Sequence, residues 1–261
     1  MQDDDMTNTG GGAKPPAGAT NNPLIAKLES LAKLSAEDKD VLQRISANPQ
    51  VIEPGTALIR EGDKPDGVYL ILDGIACRYK LRASGARQIM AYLVPGDYCD
   101  LDVALLKAMD HAIGTLSTCH VVRIDLLTIQ GLLERHPGIT HALRLATLVD
   151  EATLREWLVN IGRRSADERI AHLLCELLLR LRAVGRTAGQ GQSYALPVTQ
   201  DDLADTTGLA AVHVNRVLIN LQRRGLIAFS GQEVTISDLA GLEAFAEFKP
   251  NYLHLGGRDA A

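Results

Sequence analysis

The 261-residue chain has no apolar run of membrane-spanning length, although 46% of its residues are hydrophobic. A transmembrane helix needs about 20 consecutive apolar residues, so none is expected. The N-terminal stretch MQDDDMTNTGGGAKPPAGATNNP also lacks the apolar segment of a secretory signal. Its early acids and its glycine, proline, asparagine and threonine content predict a disordered tail over residues 1–23. We therefore expect a cytoplasmic protein.

The sequence also lacks the residue patterns of enzyme and metal sites. No Ser/His/Asp or paired-carboxylate arrangement stands at a recognisable spacing, and no phosphate-binding loop is present. The four cysteines have no CxxC spacing, which favours reduced thiols in a cytoplasmic protein. Four of the histidines lack a metal-ligand spacing: His111, His120, His136 and His141. We expect neither a catalytic centre nor a metal site, and we assign no cofactor.

Acidic residues are missing from Ala210–Gly225, inside a stretch with the pattern of two helices. Thr199, followed by Asp202, predicts the capped start of a first helix. Gly208 suits a tight turn, because glycine takes a positive φ without steric cost. In the second helix an apolar face repeats at i, i+3, i+4 and i+7, formed by Val214, Val217, Leu218 and Leu221. Gly225 marks the end of this second helix. The two helices and the turn between them predict a helix-turn-helix.

Two short β segments follow and predict a winged form of this motif. Leu226–Phe229 and Val234–Ile236 flank the turn at 230–232, a spacing typical of a hairpin. The net charge of −5 argues against DNA binding, but attraction to DNA depends on the charge of the local face. That face is expected to carry Arg216, Arg223 and Arg224, so the second helix is expected to enter a DNA major groove. An ordinary helical hairpin is the alternative.

Residues 51–124 have a different pattern, with short alternating segments separated by Gly, Asp and Pro turns. Many short strands at this spacing predict a β-sandwich or barrel. Two short helices are expected before it, at Leu24–Leu31 and Ala36–Ile45. Asp125–His136 predicts another short helix after it, and Gly138–Gly162 predicts a long one.

The long predicted helix carries an apolar stripe that is too broad for one buried face of a monomer. We expect part of this stripe to pair with a second copy of the chain, and the alternative is a wholly intramolecular core helix. Gly162–Arg164 is the candidate hinge, and Ser165 with Glu168 predicts a capping box that starts the next helix. The candidate dimerisation residues are Leu145, Leu148, Val149, Ala152 and Trp157.

The motif TQDDLAD–TGL–HVNRVLxxLxxRGLI resembles the DNA-binding domain of the Crp/Fnr superfamily of transcription regulators. REGD at 60–63, Tyr69–Gly74 and PGD at 95–97 resemble turns of the cyclic-nucleotide-binding jelly roll in that superfamily. The resemblance runs from Leu24 to Phe248. It implies a bacterial regulator that binds a palindromic operator in double-stranded DNA as a homodimer and acts with RNA polymerase.

The resemblance also implies an α+β chain with an N-terminal β jelly-roll sensor domain, a long dimerisation helix and a C-terminal winged helix-turn-helix. The expected boundaries are a tail at 1–23, the sensor domain at 24–137 and the dimerisation helix at 138–162. The DNA-binding domain is expected at 163–250, followed by a C-terminal tail at 251–261.

The sensor domain departs from the superfamily pattern where a cyclic nucleotide would bind. Members of the superfamily hold the ribose with a Gly-Glu pair after the PGD turn, and a downstream Arg pairs with the phosphate. Here Asp100 and Leu101 occupy the Gly-Glu positions, and Asp110-His111 stands where the Arg is expected. A buried phosphate needs a paired cation. We therefore expect no cyclic nucleotide to bind in the usual mode, and an atypical nucleotide pocket is the alternative.

Cysteines offer another route to sensing. Cys99 and Cys119 are candidates for a redox switch, because thiolate reactivity depends on local charge and exposure. The competing interpretation is that they are small buried hydrophobes. Cys77 lies on a predicted strand, as in the haem-binding branch, but Tyr79 replaces the expected His. An iron–sulfur site would need several thiolates near the N-terminus, and the first cysteine is Cys77.

Most of the candidate DNA contacts lie in the first half of each helix of the motif, and Arg223 lies near the end of the second. Backbone N–H groups and short polar side chains at the start of the first helix can hold a phosphate. The resemblance implies that Arg216 contacts guanine O6 and N7. Ala211 and Val212 replace the Arg and Glu that the cyclic-AMP receptor uses, and they suit contact with a thymine methyl group. The full set is Thr199, Gln200, Ala211, Val212, His213, Asn215, Arg216 and Arg223.

Overall fold

The computed structural model describes residues 22–101 and 106–256. The chain begins with two helices, α1 (Pro23–Leu31) and α2 (Ala36–Ile45). The side chain of Asn22 accepts hydrogen bonds from the first amides of α1, so Asn22 and Pro23 belong to this helix and not to the tail predicted at 1–23. Residues 1–21 of that tail lie outside the described residues.

Within the described residues, the N-terminal β domain has seven strands. They are β1 (Gln50–Ile52), β2 (Ala57–Ile59), β3 (Gly67–Asp73), β4 (Ala76–Leu81), β5 (Arg87–Leu93), β6 (Ala112–Thr115) and β7 (Cys119–Asp125). They pair in two antiparallel sheets, in the orders β1-β7-β3 and β2-β6-β4-β5. This arrangement confirms the β-sandwich or barrel predicted from the short alternating segments and the jelly roll that the resemblance implies.

One hydrophobic core joins the β domain to the helices around it. Val68, Leu70 and Ile71 of β3 are buried against α1, α2 and the helix α3 (Leu126–Arg135). The helix α4 (Pro137–Arg163) follows and extends one residue beyond each end of the predicted dimerisation helix. Its first half buries Ile139 and Leu143 in the same core.

The helix α5 (Ala166–Ala183) begins with the predicted capping box, in which Ser165 and Glu168 exchange hydrogen bonds. Its leucines are buried in a second core, which spans both halves of the molecule. Ile89 and Tyr92 of β5 lie in this core beside residues of the helix-turn-helix. The sensor domain and the DNA-binding domain are therefore packed together and do not form two independent cores.

The winged helix-turn-helix contains α6 (Gln200–Thr207), α7 (Ala211–Arg223), β9 (Ile227–Ser230) and β10 (Glu233–Ile236). Gly208 has a φ of +68° in the turn and Gly225 has +71° after α7, as the sequence predicts for both glycines. The wing has a third strand, β8 (Ser193–Ala195), in the order β8-β10-β9. The sequence predicts only the hairpin, because a three-residue strand has no periodicity of its own and depends on pairing with β10.

The C-terminal segment packs against the helices. The helix α8 (Leu239–Phe245) is followed by a 3₁₀ turn, Pro250–Leu253, in which Tyr252 and Leu253 are buried. The predicted tail at 251–261 is therefore wrong at its start, because these two side chains fill a gap beside α4 and α5. Residues 257–261 lie outside the described residues. Among the described helices, none is long and apolar enough to cross a membrane.

Candidate DNA-binding surface and sensor cavity

The N-terminal end of α6 is closed by a reciprocal cap and faces solvent. Asp202 N donates to Thr199 Oγ1 at 3.0 Å, while Thr199 N and Oγ1 donate to Asp202 Oδ2 at 2.8 and 2.7 Å. Thr199 and Gln200 are exposed. The first amides of a helix carry partial positive charge, so this end can approach a phosphate.

The helix α7 presents one apolar and one polar face. Val214, Val217 and Leu221 are buried, because they recur on the side that packs against α5 and α6. The candidate DNA contacts on the opposite side are exposed; they are Val212, His213, Asn215, Arg216 and Arg223. Ala211 is half-buried. The 76% exposure of Val212 leaves an apolar side chain free for contact outside the chain.

Two contacts fix α7 on the rest of the domain. Asn220 Nδ2 donates to Asp167 Oδ2 of α5 at 2.5 Å. The guanidinium of Arg224 lies over the ring of Phe245, 5.0 Å from its centroid. The guanidinium of Arg224 therefore packs within the domain. Arg216 and Arg223 remain as the basic side chains of the exposed face.

A cavity of about 350 Å³ lies between the β domain and α4. Its wall includes Arg78, a cation that the sequence-based interpretation missed. Arg78 Nη2 donates to the carbonyl of Tyr98 at 3.2 Å, and the guanidinium lies 3.5 Å from Asp100 and 3.6 Å from Asp150. The expectation that the pocket holds no fixed cation is therefore wrong, but this cation already faces two carboxylates.

His111 lies at the mouth of the same cavity between two carboxylates. Its Nδ1 is 2.8 Å from Asp110 Oδ1 and its Nε2 is 3.1 Å from Asp100 Oδ2. The nearby carboxylate of Asp100 raises the pKa of His111, an effect that outweighs burial and the positive charge of Arg78. His111 and Arg78 in turn lower the pKa of Asp100 in spite of its burial. The predicted Asp110-His111 pair thus joins an internal ion-pair cluster.

A buried ionic network connects this region to α5. Asp97, in the PGD turn, accepts from Lys27 of α1 at 2.7 Å and from Arg180 of α5 at 2.6 Å. Burial alone would raise the pKa of Asp97, but these two cations and the amide of Val94 hold it below its usual value. Arg180 also donates to Glu176 at 3.1 Å. The turn after β5 is thereby linked electrostatically to the helix that supports α7.

The candidate sensor cysteines are all buried, and so is Cys175. Burial raises the pKa of Cys77 to about 12 and raises the pKa of Cys99 and Cys119 as well. A redox switch needs thiolates that an oxidant can reach. The burial of Cys99 and Cys119 argues against a redox switch at these two residues, because an oxidant does not reach their thiols in this structure.

The exposed side of α4 carries most of the candidate dimerisation residues. Leu148 is 56% exposed and Leu158 is 74% exposed, whereas Leu145, Val149 and Ala152 are half-buried. Trp157 does not belong to this set, because it is 4% exposed and its indole donates to Glu176. Its ring packs edge to face on Tyr92, with centroids 5.8 Å apart. Trp157 therefore fixes α4 to its own chain.

No group of three or more His, Cys, Asp or Glu side chains within residues 22–101 and 106–256 is placed to hold a metal ion.

Comparison with known proteins matches both halves of the chain. Residues 49–136 match the cyclic nucleotide-binding domain, and residues 168–245 match the Crp-like helix-turn-helix domain. The transcriptional activator protein Anr of Pseudomonas protegens is 30% identical over 218 residues, 82% of this chain and 86% of that protein. The nitrogen fixation regulation protein FixK of Bradyrhizobium diazoefficiens is 29% identical over 193 residues, 74% of this chain and 79% of that protein.

Solved structures show the same arrangement. The structure of FixK2 from Bradyrhizobium japonicum covers 76% of this chain and 96% of its own, with 25% identity and a TM-score of 0.61. The regulator TTHB099 of Thermus thermophilus has 20% identity and a TM-score of 0.60 over the same share of each chain, which is a likeness of fold.

Proposed function

The chain belongs to the Crp/Fnr family of DNA-binding transcription regulators, and from this premise we propose that it binds a two-fold symmetric operator as a homodimer. It is a regulator and not an enzyme. The observation that carries the proposal is the exposed face of α7. The side chains of His213, Asn215 and Arg216 are open to solvent there. A polar helix face of this kind fits a DNA major groove.

The contacts of this face divide into two kinds. Thr199 and Gln200, at the free end of α6, hold a phosphate and fix the position of the domain on the duplex. Arg216 supplies the bidentate contact to a guanine, and Ala211 and Val212 contact a thymine methyl group. Arg223, about two helical turns after Arg216, adds a phosphate contact.

The homodimer forms through α4. Leu148, Leu154 and Leu158 are exposed on this helix in the single chain, and a second copy of α4 would cover them. Pairing with a second copy also provides the two-fold axis that a palindromic operator requires. We further propose RNA polymerase as a protein partner, because relatives of this chain are named transcriptional activators. The protein would act in the cytoplasm, where bacterial DNA lies.

We propose that cyclic AMP is not the effector. In the cavity, Asp100 and Asp150 already face Arg78, so an incoming phosphodiester would meet carboxylates as well as the cation. Leu101 stands where the superfamily has the Glu that accepts from the ribose. A cyclic nucleotide would therefore lose its hydration without gaining a free cation or a ribose acceptor.

Selection of binding sites from a pool of random duplex DNA tests the proposal. The expected result is a palindrome whose half-sites lie about 10 base pairs apart, or a multiple of that spacing, and contain a guanine that Arg216 contacts. Binding should weaken steeply with salt, because each neutralised phosphate releases counterions. A protein that enriches no sequence, and whose binding to random DNA has no salt dependence, would overturn the proposal.

A further inference from the structure

An arginine of the sensor domain binds two aspartates of the helix-turn-helix. Arg87 starts strand β5, and its Nε donates to Asp205 Oδ2 at 2.6 Å. Its Nη2 donates to Asp202 Oδ1 at 2.5 Å. The two aspartates lie three residues apart on α6, so one planar guanidinium contacts both. The Arg87 side chain is 27% exposed, and Asp202 is 9% exposed.

Asp202 also forms the cap of α6. Its contact with Arg87 therefore connects strand β5 to the N-terminal end of that helix. One oxygen of Asp202 accepts from Arg87, and the other accepts from the amide and hydroxyl of Thr199. Thr199 and Gln200 are the candidate phosphate contacts at this end. Arg87 is therefore two hydrogen bonds away from the place where DNA would touch α6.

Neighbouring residues of β5 support the same contact. Gln88 Nε2 donates to the carbonyl of Thr206 at 3.3 Å. The hydroxyls of Tyr92 and Thr206 are 2.7 Å apart in the buried core. Three residues of one sensor strand thus hold α6 along its length, which fixes the angle between the two domains.

The contact leaves the DNA-binding surface free. The side of α6 that meets β5 carries Asp202 and Thr206, both buried. The candidate DNA-contacting residues point elsewhere and remain exposed, including Gln200 and Arg216. Contact between the domains and access to DNA are therefore compatible, which argues against an inhibitory contact.

We propose that Arg87 is a positioning residue for operator recognition: it holds α6 on the sensor domain, so that the two recognition helices of a dimer keep the spacing of the half-sites. This inference rests on the proposed homodimeric function. Half-sites lie about 34 Å apart or at multiples of that distance, so both α7 helices bind together only when their separation matches it. Without Arg87 the core contacts remain but α6 loses both ion pairs, so more of its position must be fixed on binding, and that entropy reduces affinity.

Affinity for the full palindrome and for a single half-site tests this role in the full-length protein. Arg87→Ala should weaken palindrome binding about tenfold, which is within the range of coupling between contacting charged groups, and should leave half-site binding nearly unchanged. Arg82→Ala, on the exposed turn after β4, is the matched control and should change neither affinity. Asp202 is left intact throughout, because its replacement would also remove the cap of α6.

Charge exchange at the same contact separates positioning from folding. Arg87→Glu and Asp205→Arg should each weaken palindrome binding, because each leaves like charges facing one another. The double variant restores an opposite-charge pair between positions 87 and 205 but leaves Asp202 beside the new carboxylate, so it should recover only part of the loss. Melting temperature and circular dichroism are recorded for every protein. Equal loss on half-site and palindrome, a gain of affinity in Arg87→Ala, or no recovery in the double variant would each overturn the role. If the wild-type protein selects no palindrome, it is the proposed function that fails instead.

Discussion

The indole Nε1 of Trp157 donates a hydrogen bond to Oε2 of Glu176 at 3.0 Å, and this bond ties α4 to α5 within the buried core. The same carboxylate accepts from the hydroxyl of Tyr252 at 2.8 Å and from Arg180 at 3.1 Å. The Glu176 side chain therefore connects α4, α5 and the C-terminal segment. The helix α5 is the one against which α7 packs. Burial raises the pKa of Glu176, although its three donors oppose that effect.

Tyr252→Phe should destabilise the protein by about 1–3 kcal/mol, because it removes a buried hydrogen bond to a charged acceptor. Urea unfolding followed by the fluorescence of Trp157, the single tryptophan of the chain, measures the change directly at this junction. Asn251→Ala is the control, since Asn251 is exposed in the same turn. An unchanged unfolding midpoint in Tyr252→Phe would show that the C-terminal segment does not stabilise the domain junction.

His111 should make the stability of the protein depend on pH. Its folded pKa lies above the ordinary value of about 6.5, so protonation stabilises the folded state below that value. This contribution is lost as pH rises through the folded pKa. In His111→Gln the free energy of unfolding should fall relative to wild type at about pH 6 and much less at about pH 9.

The groups that face His111 are Asp100, Asp110 and Arg78, and each keeps its charge over this range of pH. His254→Gln, at an exposed histidine, is the control and should show no such difference. An equal loss of stability at both pH values in His111→Gln would mean that the ring acts by packing and not by charge.

Replacing Leu148 and Leu158 together by Glu should convert the proposed dimer to monomers. Both side chains are exposed in the single chain, so the substitution should leave the fold intact. In a dimer it would bury carboxylates without partners, at a cost of several kcal/mol. Analytical ultracentrifugation measures the outcome, and Val51→Glu, at an exposed apolar residue of β1, is the control. A double variant that stays dimeric would place the interface elsewhere.

Cyclic AMP and cyclic GMP should leave operator binding unchanged. Desolvating a phosphodiester beside Asp100 and Asp150 costs several kcal/mol. Stacking of one base stabilises binding by about 1–3 kcal/mol, which is less than this desolvation cost. Fluorescence anisotropy on the selected operator, with and without each nucleotide, measures the effect. A gain in affinity of about tenfold would show that Arg78 exchanges its carboxylate partners for the phosphate.

Local signals in the sequence predict the helix-turn-helix well. The cap at Thr199 and Asp202, the positive φ of Gly208 and the apolar face from Val214 to Leu221 each depend on residues within a few positions of one another. Such features are decided by backbone sterics and helical or strand period, which a single sequence displays.

Contacts between distant parts of the chain could not be predicted in the same way. Arg87 meets Asp202 across 115 residues, and Trp157 meets Glu176 only because α4 and α5 fold back on each other. The breadth of the apolar stripe on α4 therefore led to the assignment of Trp157 to a dimer interface. Arg78 was missed because the superfamily pattern directs attention to a cation after the PGD turn, whereas this one lies on β4.

The central claim, that α7 recognises a specific DNA sequence, is tested most directly by Arg216→Ala on the selected operator. Arg216 is exposed on α7, so its replacement should leave the fold unchanged. Loss of one bidentate base contact should cost about 1–3 kcal/mol per half-site, while binding to random DNA weakens far less. Fluorescence anisotropy with both DNAs gives this comparison. A variant that selects the same sequence with unchanged affinity would contradict the claim.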